Sequence, residues 1–221
     1  MPMHNLIIVG AGQFGREVYT WAVQAIRQGT PWNIKGFLDS RPAILDGFDY
    51  PVPILATPEH YTSQEDDRFL CAMGDPAAKQ HYSMLIEQRG GRFGTLIHPT
   101  AIIGLHVVIG TGSIICPFTQ LSCDIRLGRH VTFGTHSSAA HDTVIGDYSQ
   151  ISGGCQINGR ATLETGVFLG SHATILPNAR VGEWSYVGAH SLVLRRVAPY
   201  EKVFGVPAIP VGTTRLATKA A

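Results

Sequence analysis

The residues best suited to chemistry in this chain are a histidine and an aspartate side by side, His141-Asp142, at the end of the segment SSAAHD. An imidazole is a natural general base for an amine or hydroxyl attacking a thioester, and a neighbouring carboxylate could hold it in one tautomer. The plain alternative is a solvated turn histidine with an incidental aspartate. A second group is Gly10-Ala-Gly12-Gln-Phe-Gly15, which follows the apolar run NLIIV and precedes REVYTWAVQAIRQ, a stretch with helical spacing. In a strand–loop–helix context such glycines allow a tight turn and close approach of a phosphate, while the helix N-terminus supplies amide donors. Asp39 closes the next strand-like segment, IKGFLD, 24 residues after Gly15, about where an acidic residue would meet a ribose hydroxyl. A ligand-free βα turn remains the alternative there.

Other histidines invite a metal reading. His136, His172 and His190 are spaced by 36 and 18 residues. If coils of a solenoid stack at about 4.8 Å, His136 and His172 would stand about 10 Å apart, too far to share an ion bound at about 2 Å. Two ligands do not make a catalytic zinc site, so no metal is expected, with a ligand from another subunit left open. His98 before Pro99 is expected to shape the link between two regions, and nothing singles out His81 on its helix.

The element that must carry His141 is a repeat. From Ala101 to Arg196 the chain divides into sixteen hexads without an insertion, and the third position is Ile, Leu or Val in fourteen of them. The exceptions are Phe133 and Ala139, and the fourth position is often Gly. A period of six with one obligatory aliphatic fits neither a helix face nor a hairpin meander. It fits a left-handed parallel β-helix, in which each hexad is one side of a triangular coil and third positions stack inward every eighteen residues. Glycines and small residues are expected to let the backbone turn the corners. The hexad SSAAHD lacks a large inward residue, and such a local departure is where a functional site is expected.

Before the repeat, RFLCAMG reads as a further buried strand, DPAAKQHYSMLIEQRG as a helix and RFGTLI as a closing strand. The expected organisation is therefore a small Rossmann-like domain at 1–98, a left-handed β-helix with an extension at 99–212, and a frayed tail at 213–221. The net charge of +1 and the absence of a Lys/Arg run argue against nucleic acid. No apolar run approaches the roughly 18 residues of a membrane span, and the N-terminus lacks the features of a secretory signal. Cys71, Cys116, Cys123 and Cys155 show no zinc spacing and read as reduced thiols, so a cytoplasmic location is expected. No cysteine flanks the SSAAHD corner, which disfavours an acyl-enzyme.

The whole chain resembles the sugar O-acyltransferase, sialic-acid O-acetyltransferase-like family. That family includes N-acetyltransferases acting on UDP-linked 4-amino sugars of the bacillosamine pathway and on GDP-perosamine. The resemblance rests on VGAGQFGREV, LIHPTAIIG, SSAAHDTVIGDYSQISGG and FGVPA. It implies a homotrimer with acetyl-CoA between adjacent subunits and a nucleotide-linked amino sugar in the front domain, its amine reaching His141. His141 and Asp142 fall on the family's base and supporting acid. The nucleotide would lie near Gly12, Gln13, Phe14, Gly15, Asp39, Ser40 and Gly74, and acetyl-CoA near Gln150, Ser171 and Ala189. Two positions depart from the pattern: Phe14 precedes Gly15 where relatives often carry a histidine, and Gln150 replaces a histidine that contacts the thioester region. Gln150 can still donate a hydrogen bond but not a proton. Overall resemblance favours GDP-perosamine over a UDP-linked 4-amino sugar. Rival readings are O-acetylation of a free sugar such as sialic acid, a metal-dependent β-helix enzyme and a non-catalytic scaffold.

Overall fold

A computed structural model describes residues 3–214. The chain opens with β1 (His4–Val9), α1 (Gln13–Arg27), β2 (Trp32–Leu38), β3 (Ile54–Ala56), β4 (Asp67–Cys71) and α2 (Pro76–Gln88). Leu6 to Val9, Phe69 and Leu70 are fully buried, as expected of strands covered on both faces. The four strands are parallel in the order β3-β2-β1-β4. The chain therefore reverses its direction of travel across the sheet between β1 and β4, which is where ligands enter open sheets of this kind. The Gly10 loop after β1 and the Ala72–Asp75 loop after β4 meet there. Gly10 has φ +97°, and a Cβ on it would sit 3.2 Å from the carbonyl oxygen of Ala72.

The hexads fold into three parallel sheets joined at three corners. The first face begins with Leu96–Ile97, the second with Ile102–Ile103 and the third with Val108–Ile109. Partners along a face are eighteen residues apart, as in Thr132 with Gln150 and Ser138 with Gln156. Inward residues such as Ile115, Phe133, Ile151, Leu169 and Val187 form one continuous buried column on the first face. The fold is a small parallel-sheet domain followed by a left-handed β-helix.

Several local expectations need correction. RFGTLI does not close the front sheet: Phe93 makes a single bridge to Phe69, and Leu96–Ile97 pairs with Ile114–Ile115 as the first strand of the solenoid. The β-helix thus starts ahead of residue 99. The corners are not turned by the fourth-position glycines. Left-handed backbone falls on the sixth position, at His106, Phe118, Asp124, His130, His136, Asp142, Tyr148, Arg160, His172, Asn178, Trp184 and His190, with Gly112, Gly154 and Gly166 completing the set. That conformation costs a non-glycine about 1 kcal/mol or more. An inter-coil hydrogen bond offsets it, as when the Asp142 amide donates to the Cys123 carbonyl at 3.2 Å or that of Arg160 to His141 at 2.9 Å. Fourth-position glycines serve close approach instead: a Cβ at Gly134 would lie 2.6 Å from the Ile151 carbonyl oxygen.

Phe133 and Ala139 lie on consecutive faces of one coil and share its core. The small residue offsets the large one, so the missing bulk in SSAAHD has a packing cause. At the far end, Arg196–Val197 pairs sixteen residues from Arg180–Val181, not eighteen, and Glu201–Phe204 is followed by the antiparallel strand Ile209–Thr213. Thr213 and Thr214, assigned to the frayed tail, are ordered: Thr213 is in that strand, and the Thr214 amide donates to the Tyr200 carbonyl at 2.7 Å. The rest of the expected tail lies outside the described residues.

Candidate active site

His141 and Asp142 stand at the corner between the second and third faces. Nδ1 of His141 and Oδ2 of Asp142 are 2.7 Å apart, with both side chains about half exposed. A carboxylate accepts only, so Nδ1 carries the proton and Nε2 presents the lone pair. One coil further on lies Gly159, where a Cβ would be 2.7 Å from both Cε1 and Nε2 of the ring. The ring therefore rests on a bare stretch of backbone, fixed at one edge by Asp142. Such a pair can take a proton from a nucleophile arriving at the exposed edge. His106 and Asp124 make a similar contact at 3.0 Å on the same corner, but the His106 side chain is 76% exposed and is not seated on a glycine. Contrary to the sequence reading, a cysteine does lie near: Cys123 precedes His141 by one coil. A hydrogen bond to Asp124 raises its thiol pKa, which disfavours a nucleophilic thiolate.

At the front loop, Gly15 is needed for packing, because a Cβ there would overlap the Gly10 carbonyl. Gly12 caps α1 with no side-chain partner for the first helical amides, leaving donors free for an anion. Asp39 does not present a free carboxylate. Its Oδ2 accepts from the Ala11 amide at 2.9 Å and from Arg41 Nη2 at 3.0 Å, while Oδ1 accepts from the Arg41 amide and Nε. Burial alone would raise its pKa, but Arg41 and the two amides outweigh that and hold the carboxyl below its ordinary value. A ribose hydroxyl would have to displace one of these partners. What Asp39 does is fix Arg41, whose largely exposed guanidinium lies 3.8 Å from a Cβ position on Gly12. Sequence reading overlooked Arg41, although an arginine two residues beyond the acidic strand end, beside a glycine loop, was visible. Gln13 and Ser40 are exposed, and Gln13 borders a shallow cleft with Arg16 and Tyr50.

The front domain docks on the first face through α2. A cleft of about 460 Å³ opens along this seam, with Phe14, Gly74 and Pro76 on one wall and Gln150, Phe168 and Tyr186 on the other. A smaller one of about 210 Å³ shares Phe14, Gln150 and Ser152. Gln150 is buried, and its Oε1 accepts from Lys79 Nζ at 2.9 Å. Lys79 was not foreseen as a functional residue; a lysine in a helical pattern reads as exposed, yet this one is 1% exposed.

One chain therefore joins only part of the predicted set. Phe14, Gly74 and Gln150 share the seam cleft. Ser171 and Ala189 are exposed and stacked at the corner between the first and second faces, where the His190 amide donates to the Ser171 carbonyl at 2.9 Å. His141 lies on the corner opposite the face that holds the front domain. At the first corner His172 and His190 stack with centroids 4.9 Å apart and planes 13° apart, and His136 stacks on Phe118. Parallel rings do not converge their nitrogens on one ion, and among the described residues no group of three or more candidate ligands is brought together. His98 does tie the two regions, with Nε2 2.6 Å from Gln24 Oε1 of α1. No described helix is long and apolar enough to cross a membrane.

Residues 5–85 match the PglD N-terminal domain family. GDP-perosamine N-acetyltransferase from Escherichia coli O157:H7 is 31% identical over 172 residues, which cover 76% of each protein. Among solved structures, the acetyltransferase domain of PglB from Neisseria gonorrhoeae FA1090, in complex with acetyl coenzyme A, superposes with a TM-score of 0.85 at 22% identity, covering 95% of this chain and 100% of that one. PerB from Caulobacter crescentus, in complex with CoA and GDP-perosamine, gives 0.83 at 22% identity over 94% and 97% of the two chains.

Proposed function

The chain belongs to the family of nucleotide-sugar N-acetyltransferases and is an acyltransferase, and from that premise we propose that it moves the acetyl group of acetyl-CoA onto the 4-amino group of a nucleotide-linked amino sugar, GDP-perosamine first among the candidates. The observation that carries the chemistry is the His141–Asp142 pair at 2.7 Å over Gly159. In this reading the amine nitrogen bonds to the thioester carbon while Nε2 of His141 takes the departing N–H proton. The tetrahedral adduct then collapses, the C–S bond breaks and the proton passes to the CoA sulfur. Asp142 holds the tautomer in which Nε2 is the base.

The front loop binds the nucleotide, with the bare amides at the start of α1 and the Arg41 guanidinium meeting phosphate oxygens. Asp39 acts by orienting Arg41, and Gly12, Gln13, Phe14, Ser40 and Gly74 line the same end of the sheet. Gln150, Ser171 and Ala189 serve acetyl-CoA. Because His141 and the front domain occupy opposite sides of one solenoid, a complete site takes His141 from one protomer and the nucleotide loop from its neighbour, in a homotrimer. A nucleotide-sugar-binding front domain and an acetyltransferase β-helix domain remain part of this proposal, with the boundary moved from residue 98 to just ahead of Leu96–Ile97.

Release of CoA thiol from acetyl-CoA, with GDP-perosamine and a UDP-linked 4-amino sugar as parallel acceptors, tests the reading. Turnover with the GDP sugar is expected, and His141→Ala should lower kcat about 100- to 10,000-fold. Preference for the UDP sugar would move the substrate assignment. Silence with both would transfer the case to O-acetylation of a free sugar, and an active His141→Ala would remove the base.

A further inference from the structure

The seam between front domain and solenoid contains a buried lysine whose partners include a residue of the seam clefts. Lys79, on α2, places its ammonium among three acceptors of the first face: Thr132 Oγ1 at 2.9 Å, Ser149 carbonyl oxygen at 3.2 Å and Gln150 Oε1 at 2.9 Å. Three protons meet three oxygens, the condition under which a buried ammonium is tolerable. A methionine would spare the desolvation cost but leave the Thr132 and Gln150 side-chain oxygens without this buried donor, so the lysine is matched to the acceptors of the first face.

The consequence falls on Gln150. A primary amide can show a ligand either its oxygen or its NH2 group. Lys79 Nζ donates to Gln150 Oε1, and below about pH 7 the group is an ammonium with donors only, so the oxygen of Gln150 faces Lys79 and the NH2 group faces the other way. Gln150 lines both clefts of the seam, beside Phe14 and Ser152. We propose that Lys79 is a positioning residue that locks Gln150 as a hydrogen-bond donor toward the acyl carbonyl of bound acetyl-CoA. The inference rests on the reading above in taking acetyl-CoA as co-substrate with Gln150 at its thioester end. An N–H aimed at the carbonyl oxygen gains strength as that oxygen becomes an oxyanion, and one fixed beforehand needs no reorganisation at that moment. Gln150 then fills the place of a histidine as a donor while taking no part in proton transfer.

Equilibrium binding of acetyl-CoA and of CoA, measured by calorimetry on wild type, Lys79→Met, Gln150→Leu and the double variant, tests this without an acceptor sugar. Wild type should favour acetyl-CoA about three- to tenfold, the span of one neutral hydrogen bond. Each single variant should lose that preference, and the double variant should lose nothing more. In turnover, Lys79→Met should lower kcat about tenfold with the acceptor KM unchanged, whereas a merely loosened seam would raise that KM. Equal binding of the two ligands by wild type, a preference retained in Lys79→Met, or independent losses that add in the double variant would overturn the proposal. Should Lys79→Met fail to fold, Gln150→Glu decides: its carboxylate keeps Lys79 paired but offers no N–H, so a retained preference there also overturns it. Absent turnover would count against the transfer reaction, while the binding data would still decide the role of Lys79.

Discussion

At the scale of single residues, the position of the His141 ring depends on a residue with no side chain. Gly159 gives the imidazole a flat seat one coil away, and a Cβ there would press on Cε1 and Nε2 at 2.7 Å. Gly159→Val should therefore tilt the ring off its seat. A displacement of about 1 Å at a reacting group can cost about 100-fold in rate, so kcat should fall by that order with little change in melting temperature. A variant that turns over like wild type would mean the ring is placed by Asp142 alone. His141 and Asp142 were legible in the sequence because they are neighbours carrying chemical groups. Gly159 was not, since its contribution is the absence of a side chain, eighteen residues away. The same limit applies to Asp39 and Arg41: spacing marked the carboxylate, but only the fold shows its oxygens already taken by Arg41 and two amides.

At the scale of elements, α2 is the piece whose helical pattern was readable and whose docking was not. Besides Lys79 it sends Ser83 to His130 Nδ1 at 3.2 Å and Glu87 to His130 Nε2 at 3.4 Å, and Glu87 also pairs with Arg129. His130 is 1% exposed, edge-on to Phe93 and parallel to Tyr148. Burial lowers its pKa from 6.5 to about 4, against the opposing pull of Glu87. Burial likewise lowers that of Lys79 from 10.5 to about 7. Both groups bind protons more readily in the unfolded chain, so stability rises with pH through each window. For His130 the stability is fully present above pH 6.5 and is lost as pH falls toward about 4. The melting temperature should drop between pH 7 and pH 5, and His130→Gln should flatten that slope; an unchanged slope would place the effect elsewhere. A sequence shows such a histidine only as a corner residue of a repeat, because its burial is produced by a helix some forty residues earlier.

For the whole molecule, the hexad period made the prism legible before any coordinate, since an inward aliphatic every six residues admits few other shapes. Its position relative to the front domain was not legible, because the first face carries the same repeat as the other two. Placement of α2 on that face puts His141 on the far corner, which is the ground for the shared site proposed above. Mixing His141→Ala with a variant disabled in the front loop, such as Gly12→Glu, should restore activity after subunit exchange. Random assortment brings an intact His141 against an intact loop at about one site in four. Two inactive variants that stay inactive once exchange is demonstrated would place the complete site within one chain.

The reversal at the end of the solenoid bears on a different matter. A stack of parallel coils has no length of its own, and each terminal coil offers open backbone on which another chain could continue the ladder. Here the strand Ile209–Thr213 runs against the preceding Glu201–Phe204, with Pro207 and Pro210 around the turn. Proline has no N–H to offer, and an antiparallel strand is out of step with a parallel ladder. A further parallel coil is thereby disfavoured on the first face at that end, so the turn acts there as a chain terminator in the polymer sense.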